Sequence, residues 1–167
     1  MKKKHFILSS IILLLASFFV LGMSIVNSQI IKATTADLTS EAENIIRGTV
    51  KKIKSEWNNE KTFIWSFVTI NVSSTIKGKS LEEKDISVKI PGGVVGEITQ
   101  RSEHQVTFKK GEDVILFLKP EIYKETEYFH VVRQFQGKFA IQEETIVEKK
   151  LNIEAFIGEI KKAMKKK

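Results

Sequence analysis

The chain has 167 residues, a net charge of +7 and no cysteine, enough length for one domain with a buried core plus a short terminal segment. Without cysteine there are no disulfides, thiolate metal sites, cysteine nucleophiles or lipid attachment to an N-terminal cysteine. The charge sits at the ends: residues 1–28 carry three lysines and no acid, residues 149–167 carry seven lysines against Glu154 and Glu159, and residues 29–148 hold 17 basic and 18 acidic residues. A near-neutral body argues against nucleic acid as a partner, because such a domain carries its positive charge on the binding face.

The first residues have the parts of an export leader. Lys2, Lys3 and Lys4 precede an apolar run from Phe6 to about Leu21, Gly22 interrupts it, and Val26-Asn27-Ser28 suits cleavage after Ser28. The alternative is an uncleaved anchor, since Phe6 to Val26 is about the length a bilayer needs. Either way the remainder is expected outside the cytoplasmic membrane, secreted or attached to its outer face.

Residues 29–37 read as a linker, with a short helical turn near "TADLTSEAEN" capped by Thr39 or Ser40. "NIIRGTVKKIKSEW" reads as a β-branched strand in which Gly48 marks a bulge or a close backbone approach. Asn58-Asn59-Glu60-Lys61 turns the chain into a second long strand, "TFIWSFVTINVSSTIKG". "DISVKI" alternates as a third, and "DVILFL" is apolar throughout, as a strand buried on both faces would be, with Pro120 expected to end it. Gln136-Gly137-Lys138 reads as a hairpin connection between "YFHVVRQF" and "FAIQ". Phe63, Trp65, Val68, Ile70, Ile86, Val88, Leu116, Val131 and Phe139 are expected to share one core. About six strands with little helix between them indicate an all-β domain over residues 38–148, a small OB-like barrel or sandwich.

Residues 149–167 differ. Ile153, Phe156, Ile157, Ile160 and Met164 recur at helical spacing, Asn152 is placed to cap, and Leu151 and Phe156 have the spacing of a hydrophobic staple. This basic amphipathic helix either packs on the barrel or lies on an anionic membrane surface, and the staple and cap favour packing.

No constellation for chemistry emerges, and no catalytic, cofactor-binding or metal-ligating residue is assigned. Gly92, Gly93 and Gly96 follow a strand but lack both the Lys-Ser/Thr pair and the following helix of a phosphate loop, so they read as a turn out of the sheet. His104 and His130 fall on different elements with no ligand spacing. Glu82-Glu83, Glu112-Asp113 and Glu143-Glu144 read as solvated turn charges, and Asn71-Val72-Ser73 as a chance glycosylation sequon. The row Phe63, Trp65, Phe67 has the spacing to stack sugars or bases, but aromatic core is the preferred reading.

The succession Arg47-Gly48-x-Val50, Lys77-Gly78, Pro91-Gly92-Gly93, Gly111-Glu112 before Leu116-Phe117-Leu118, and Gln136-Gly137-Lys138-Phe139 resembles small exported prokaryotic proteins of unknown function. More distantly it is similar to netrin-like domains and tissue inhibitors of metalloproteinases. That resemblance implies an OB-type barrel. The inhibitors' zinc-chelating N-terminal cysteine and disulfides have no counterpart here, so the fold is carried over and protease inhibition is not. The expected function is a non-enzymatic exported binding domain for a protein or cell-envelope component. The rivals are an extracytoplasmic hydrolase with dispersed carboxylates and a membrane-surface structural protein acting through the C-terminal helix.

Overall fold

The computed structural model describes residues 31–102, 104–123 and 126–165, and the folded body is the unit Lys32–Lys167. The leader or anchor expected over residues 1–28 lies outside the described residues. Among the described residues no helix is long and apolar enough to cross a membrane. The body is mainly β, with one large sheet, a short helix at its start and a longer one at its end.

Helix α1 (Thr35–Glu41) begins inside the segment read as linker. Its cap is Thr34, not Thr39 or Ser40: the Thr34 side chain accepts from the Asp37 amide while the Asp37 carboxylate accepts from the Thr34 amide, a reciprocal capping box. Strand β1 (Asn44–Trp57) and strand β2 (Ile64–Lys77) form the long hairpin expected around Asn58. The Asn58 side-chain carbonyl accepts from the amides of Thr62 and Phe63, which holds that turn. Gly48 lies where the β1–β2 register slips, and a Cβ there would come within 2.5 Å of the Asn71 carbonyl oxygen.

Strand β3 (Asp85–Pro91) extends the meander, and β4 (Gly93–Val95) with β5 (Ile98–Gln100) makes a small separate hairpin. Strand β6 (Asp113–Tyr123) pairs with β1 along residues 113–118, and with β7 (Thr126–Val131) from Leu118 onward. Pro120 does not end β6. Beyond Leu118 its β1 partner has stopped, so the missing proline N–H falls where one edge is no longer paired.

The expected hairpin at residues 136–138 is also absent. Strand β8 (Lys138–Gln142) pairs with β6 at residues 113–116 rather than with β7. Because β1 occupies the other edge of β6, β7 and β8 lie end to end along one edge, separated by a 3₁₀ turn at Gln134–Gly137. The short strands β9 (Thr145–Ile146) and β10 (Leu151–Asn152) lead into helix α2 (Ile153–Met164). The pairings run β1-β2-β3-β7-β6 and return to β1, but β3 meets β7 through a single parallel pair, Val88 with Phe129, so the ring is not cleanly closed.

There are two cores rather than one. The first contains Ile46, Val68, Ile70, Ile86, Val88, Leu116 and Val131. The second lies between the sheet and the helices, where Leu38, Ile45, Ile115, Phe117, Phe139, Phe156 and Ile160 meet. Strand β6 feeds both, with Val114, Leu116 and Leu118 on one side and Ile115 and Phe117 on the other, which accounts for its unbroken apolar run. Helix α2 buries Ile153, Phe156 and Ile160 there, capped by Asn152, whose side-chain oxygen accepts from the Glu154 amide. Two of the expected core residues are misplaced: Phe63 and Trp65 are only half-buried, while Ile64, Ser66 and Val68 point inward. Alternation allows only one parity to face the core, and Val68 and Ile70 fix it.

Candidate functional site on the outer sheet face

Since 64, 66, 68 and 70 face inward, Trp65 and Phe67 belong to the outer face of β2, and Phe63, immediately before the strand, is half-buried like them. Register places Lys54 of β1 and Lys89 of β3 on either side of Phe67, and Glu56 and Pro91 on either side of Trp65. The parallel Val88–Phe129 pair then sets Tyr128 and His130 of β7 beside β3 on that same face. One stretch of sheet surface thus carries four aromatic side chains with charged groups among them.

The rings form two tilted pairs. Phe63 and Trp65 have centroids 4.9 Å apart with planes at 55°, and Phe67 and Tyr128 are 5.1 Å apart at 49°. Lys89 lies between them, its side chain only 6% exposed, with Nζ 3.1 Å from Glu121 Oε1 and 4.3 Å from the Trp65 ring centroid. A cation held over an indole and paired with a carboxylate can be buried at tolerable cost. On the far side of Glu121, His130 Nδ1 is 3.8 Å from Oε2, buried and without a hydrogen bond. Lys54 donates to Glu56 at 2.7 Å. That hydrogen bond raises the Lys54 pKa above its ordinary value, with a smaller contribution from Tyr128.

The residues singled out for other chemistry are dispersed. His104 is exposed near the Phe135 ring, far in sequence from His130 and on a different element. Gly93, at φ +146°, is followed by the β4–β5 hairpin and not by a helix, and a Cβ there would collide with the hydroxyls of Ser55 and Ser66. Glu112 pairs with Lys138, and Asp113 with Arg47, whose guanidinium also lies 3.9 Å from Glu144. Among the described residues no three acids or histidines cluster as a metal site would need. The carboxyls displaced from their ordinary pKa, Asp37, Glu41, Asp85 and Glu159, all move down through hydrogen bonds to Thr34, Arg133, Lys51 and Lys149 respectively. None of these four is poised as a general acid.

The pattern behind the family resemblance has its own destination. Arg47 pairs with Asp113 at 2.7 Å, and Lys77 donates to the Thr39 and Ala42 carbonyls at the C-terminus of α1. Ser66 donates to the Gly92 carbonyl, and Lys138 donates to Glu112 and to the Thr107 carbonyl. These residues tie elements together; the outer rings and Lys89 fall outside the pattern. No protein-family model and no curated protein matches the chain.

The aromatic row is legible in the sequence, but its expected place in the core is not where it lies. The available signal was parity: a strand with Val68 and Ile70 buried cannot also bury Phe63, Trp65 and Phe67 unless a bulge intervenes. Tyr128 and His130 were not accessible in this way, because their neighbourhood depends on the parallel β3–β7 contact.

Proposed function

We propose that the protein is a non-enzymatic, extracytoplasmic binding domain built on an OB-like barrel, whose outer β2–β3–β7 face takes the ligand. The observation that carries this is the aromatic row outside the core, organised around a nearly buried lysine. A sheet needs rings inside to fold; rings outside, held by a cation and a carboxylate, have no such necessity. The pairing order β1-β2-β3-β7-β6-β1, with one parallel contact, supports the barrel reading. The leader-like pattern in the sequence of residues 1–28 supports the export reading. Burial of Ile153, Phe156 and Ile160 leaves little of the helix's apolar face for a membrane.

The test is cosedimentation of the purified protein with lipid-extracted cell-envelope material. Replacing Phe67 or Tyr128 by Ala should reduce retention at least fivefold without changing the melting temperature by more than a few degrees. Retention indifferent to both substitutions would overturn the assignment of this face. Turnover of an envelope polymer by the purified protein would favour the hydrolase instead.

A further inference from the structure

We infer that the outer face recognises an uncharged polysaccharide strand; the inference rests on the binding-domain reading above and specifies its ligand class. The face must satisfy two kinds of chemistry side by side. The pairs Phe63–Trp65 and Phe67–Tyr128 offer partly exposed ring surface, and the Lys89–Glu121 pair lies between them. A pyranose is built the same way, with C–H groups that stack on rings and equatorial hydroxyls at the edge that both donate and accept. Glu121 and Glu56 remain substantially exposed, so their carboxylates keep lone pairs for hydroxyl donors.

Charge decides between ligand classes. Lys89 is met by Glu121 at 3.1 Å and Lys54 by Glu56 at 2.7 Å. Lys52, one step farther along β1 and opposite Thr69, is the outer-face lysine of that strand with no carboxylate partner among the described residues. A polyanion needs unneutralised cations at successive positions to displace its counterions. The two lysines beside the rings, Lys89 and Lys54, are each met by a carboxylate, so Lys52 is left alone rather than in a row of free cations, which suits a ligand with hydroxyls and no net charge. A protein partner fits less well, because the centre of a protein interface is depleted of charge and here the centre is an ion pair.

Lys89 also supplies preorganisation. Held by β3 and locked over Trp65 and against Glu121, it fixes the indole before a ligand arrives, which limits the ordering that binding must impose.

The experiment titrates the full chain with cellohexaose and chitohexaose, following tryptophan fluorescence and ring-proton chemical shifts, with heparin and single-stranded DNA in parallel. Saturable binding of a neutral hexasaccharide is expected, with shifts at Trp65, Phe67 and Tyr128. The affinity should fall at least tenfold in Phe67→Ala and in Tyr128→Ala. The shift map on the unsubstituted protein keeps the test decisive if either variant fails to fold. Absence of binding to either hexasaccharide, shifts mapping elsewhere, or tighter binding of heparin or DNA through this face would each overturn the inference. If envelope retention still depends on Phe67 in that event, the face is a binding surface for another ligand and only the glycan assignment fails. If retention is indifferent as well, both fail.

Discussion

Lys138 donates to Glu112 at 2.6 Å, with side chains only 12% and 17% exposed, and the same ammonium reaches the Thr107 carbonyl at 2.7 Å. The pair joins β8 to the turn before β6, and the Phe108 ring lies 4.9 Å from the ammonium. Removing one partner leaves the other charge poorly solvated. Glu112→Gln or Lys138→Met should each cost about 1–3 kcal/mol, as expected when a partly buried charge loses its partner. The double variant Glu112→Gln/Lys138→Met should recover part of that loss. Chemical denaturation of the single and double variants measures the coupling, and strict additivity would show that the two charges do not depend on each other.

Parity along β2 gives a comparison in which the smaller residue matters more. Ile64 is fully buried and Phe63 half-buried on the opposite face. Ile64→Ala should cost about 2–5 kcal/mol, as should Leu116→Ala in the first core, while Phe63→Ala should cost less despite deleting a larger group. Denaturant midpoints in the reverse order would place the aromatic row back in the core.

The second core depends on α2. Phe156 has no exposed surface and lies 4.7 Å from Phe139 and 6.3 Å from Phe117, centroid to centroid. Phe156→Ala should lose about 3–5 kcal/mol. Deleting residues 151–167 would uncover Ile115, Phe117 and Phe139 and should promote aggregation. A truncated protein that melts like the full chain and stays monomeric by light scattering would mean the helix contributes no packing.

Acid sensitivity follows from four carboxylates. Asp37, Glu41, Asp85 and Glu159 have folded pKa values below their ordinary 3.8 or 4.5. A lowered folded pKa means stability that is complete above the unfolded value and is lost as pH falls through the folded one. The melting temperature should therefore hold between about pH 5 and 8 and decline below about pH 4. Glu41→Gln/Glu159→Gln should flatten that decline. An acid limb unchanged by the double substitution would assign the loss to other groups.

Where the sequence was readable, a local rule decided the outcome. Asn44–Trp57 and the C-terminal helix with its Asn152 cap follow from alternation, helical spacing and capping chemistry. Thr34-x-x-Asp37 carries an equally local capping signal, in which Asp37 returns the bond to the Thr34 amide, whereas Thr39 and Ser40 lie inside the helix. Pro120 misled because its effect depends on whether both edges of β6 are paired, a tertiary fact. The connection at Gln136-Gly137-Lys138 misleads for a similar reason: two strands placed end to end along one neighbour have the same local signature as a hairpin. The outer face was half legible, since Trp65 and Phe67 follow from parity but their partners Lys89, Glu121 and Tyr128 come from other strands.

The meeting of the two helices sets an order on folding. Glu159 of α2 accepts from Thr35 Oγ1 at 3.1 Å and from Lys149 at 2.9 Å, and Leu38 of α1 shares a core with Phe156 and Ile160. The first described element of the body is thus fastened to the last, across almost the body's whole length. Such sequence-distant contacts make loop closure a late and slow event. A partly synthesised chain has nothing against which to close α1, so the clasp forms only when the final helix is available. A chain still emerging from the ribosome therefore stays open at this seam until its last residues have been made.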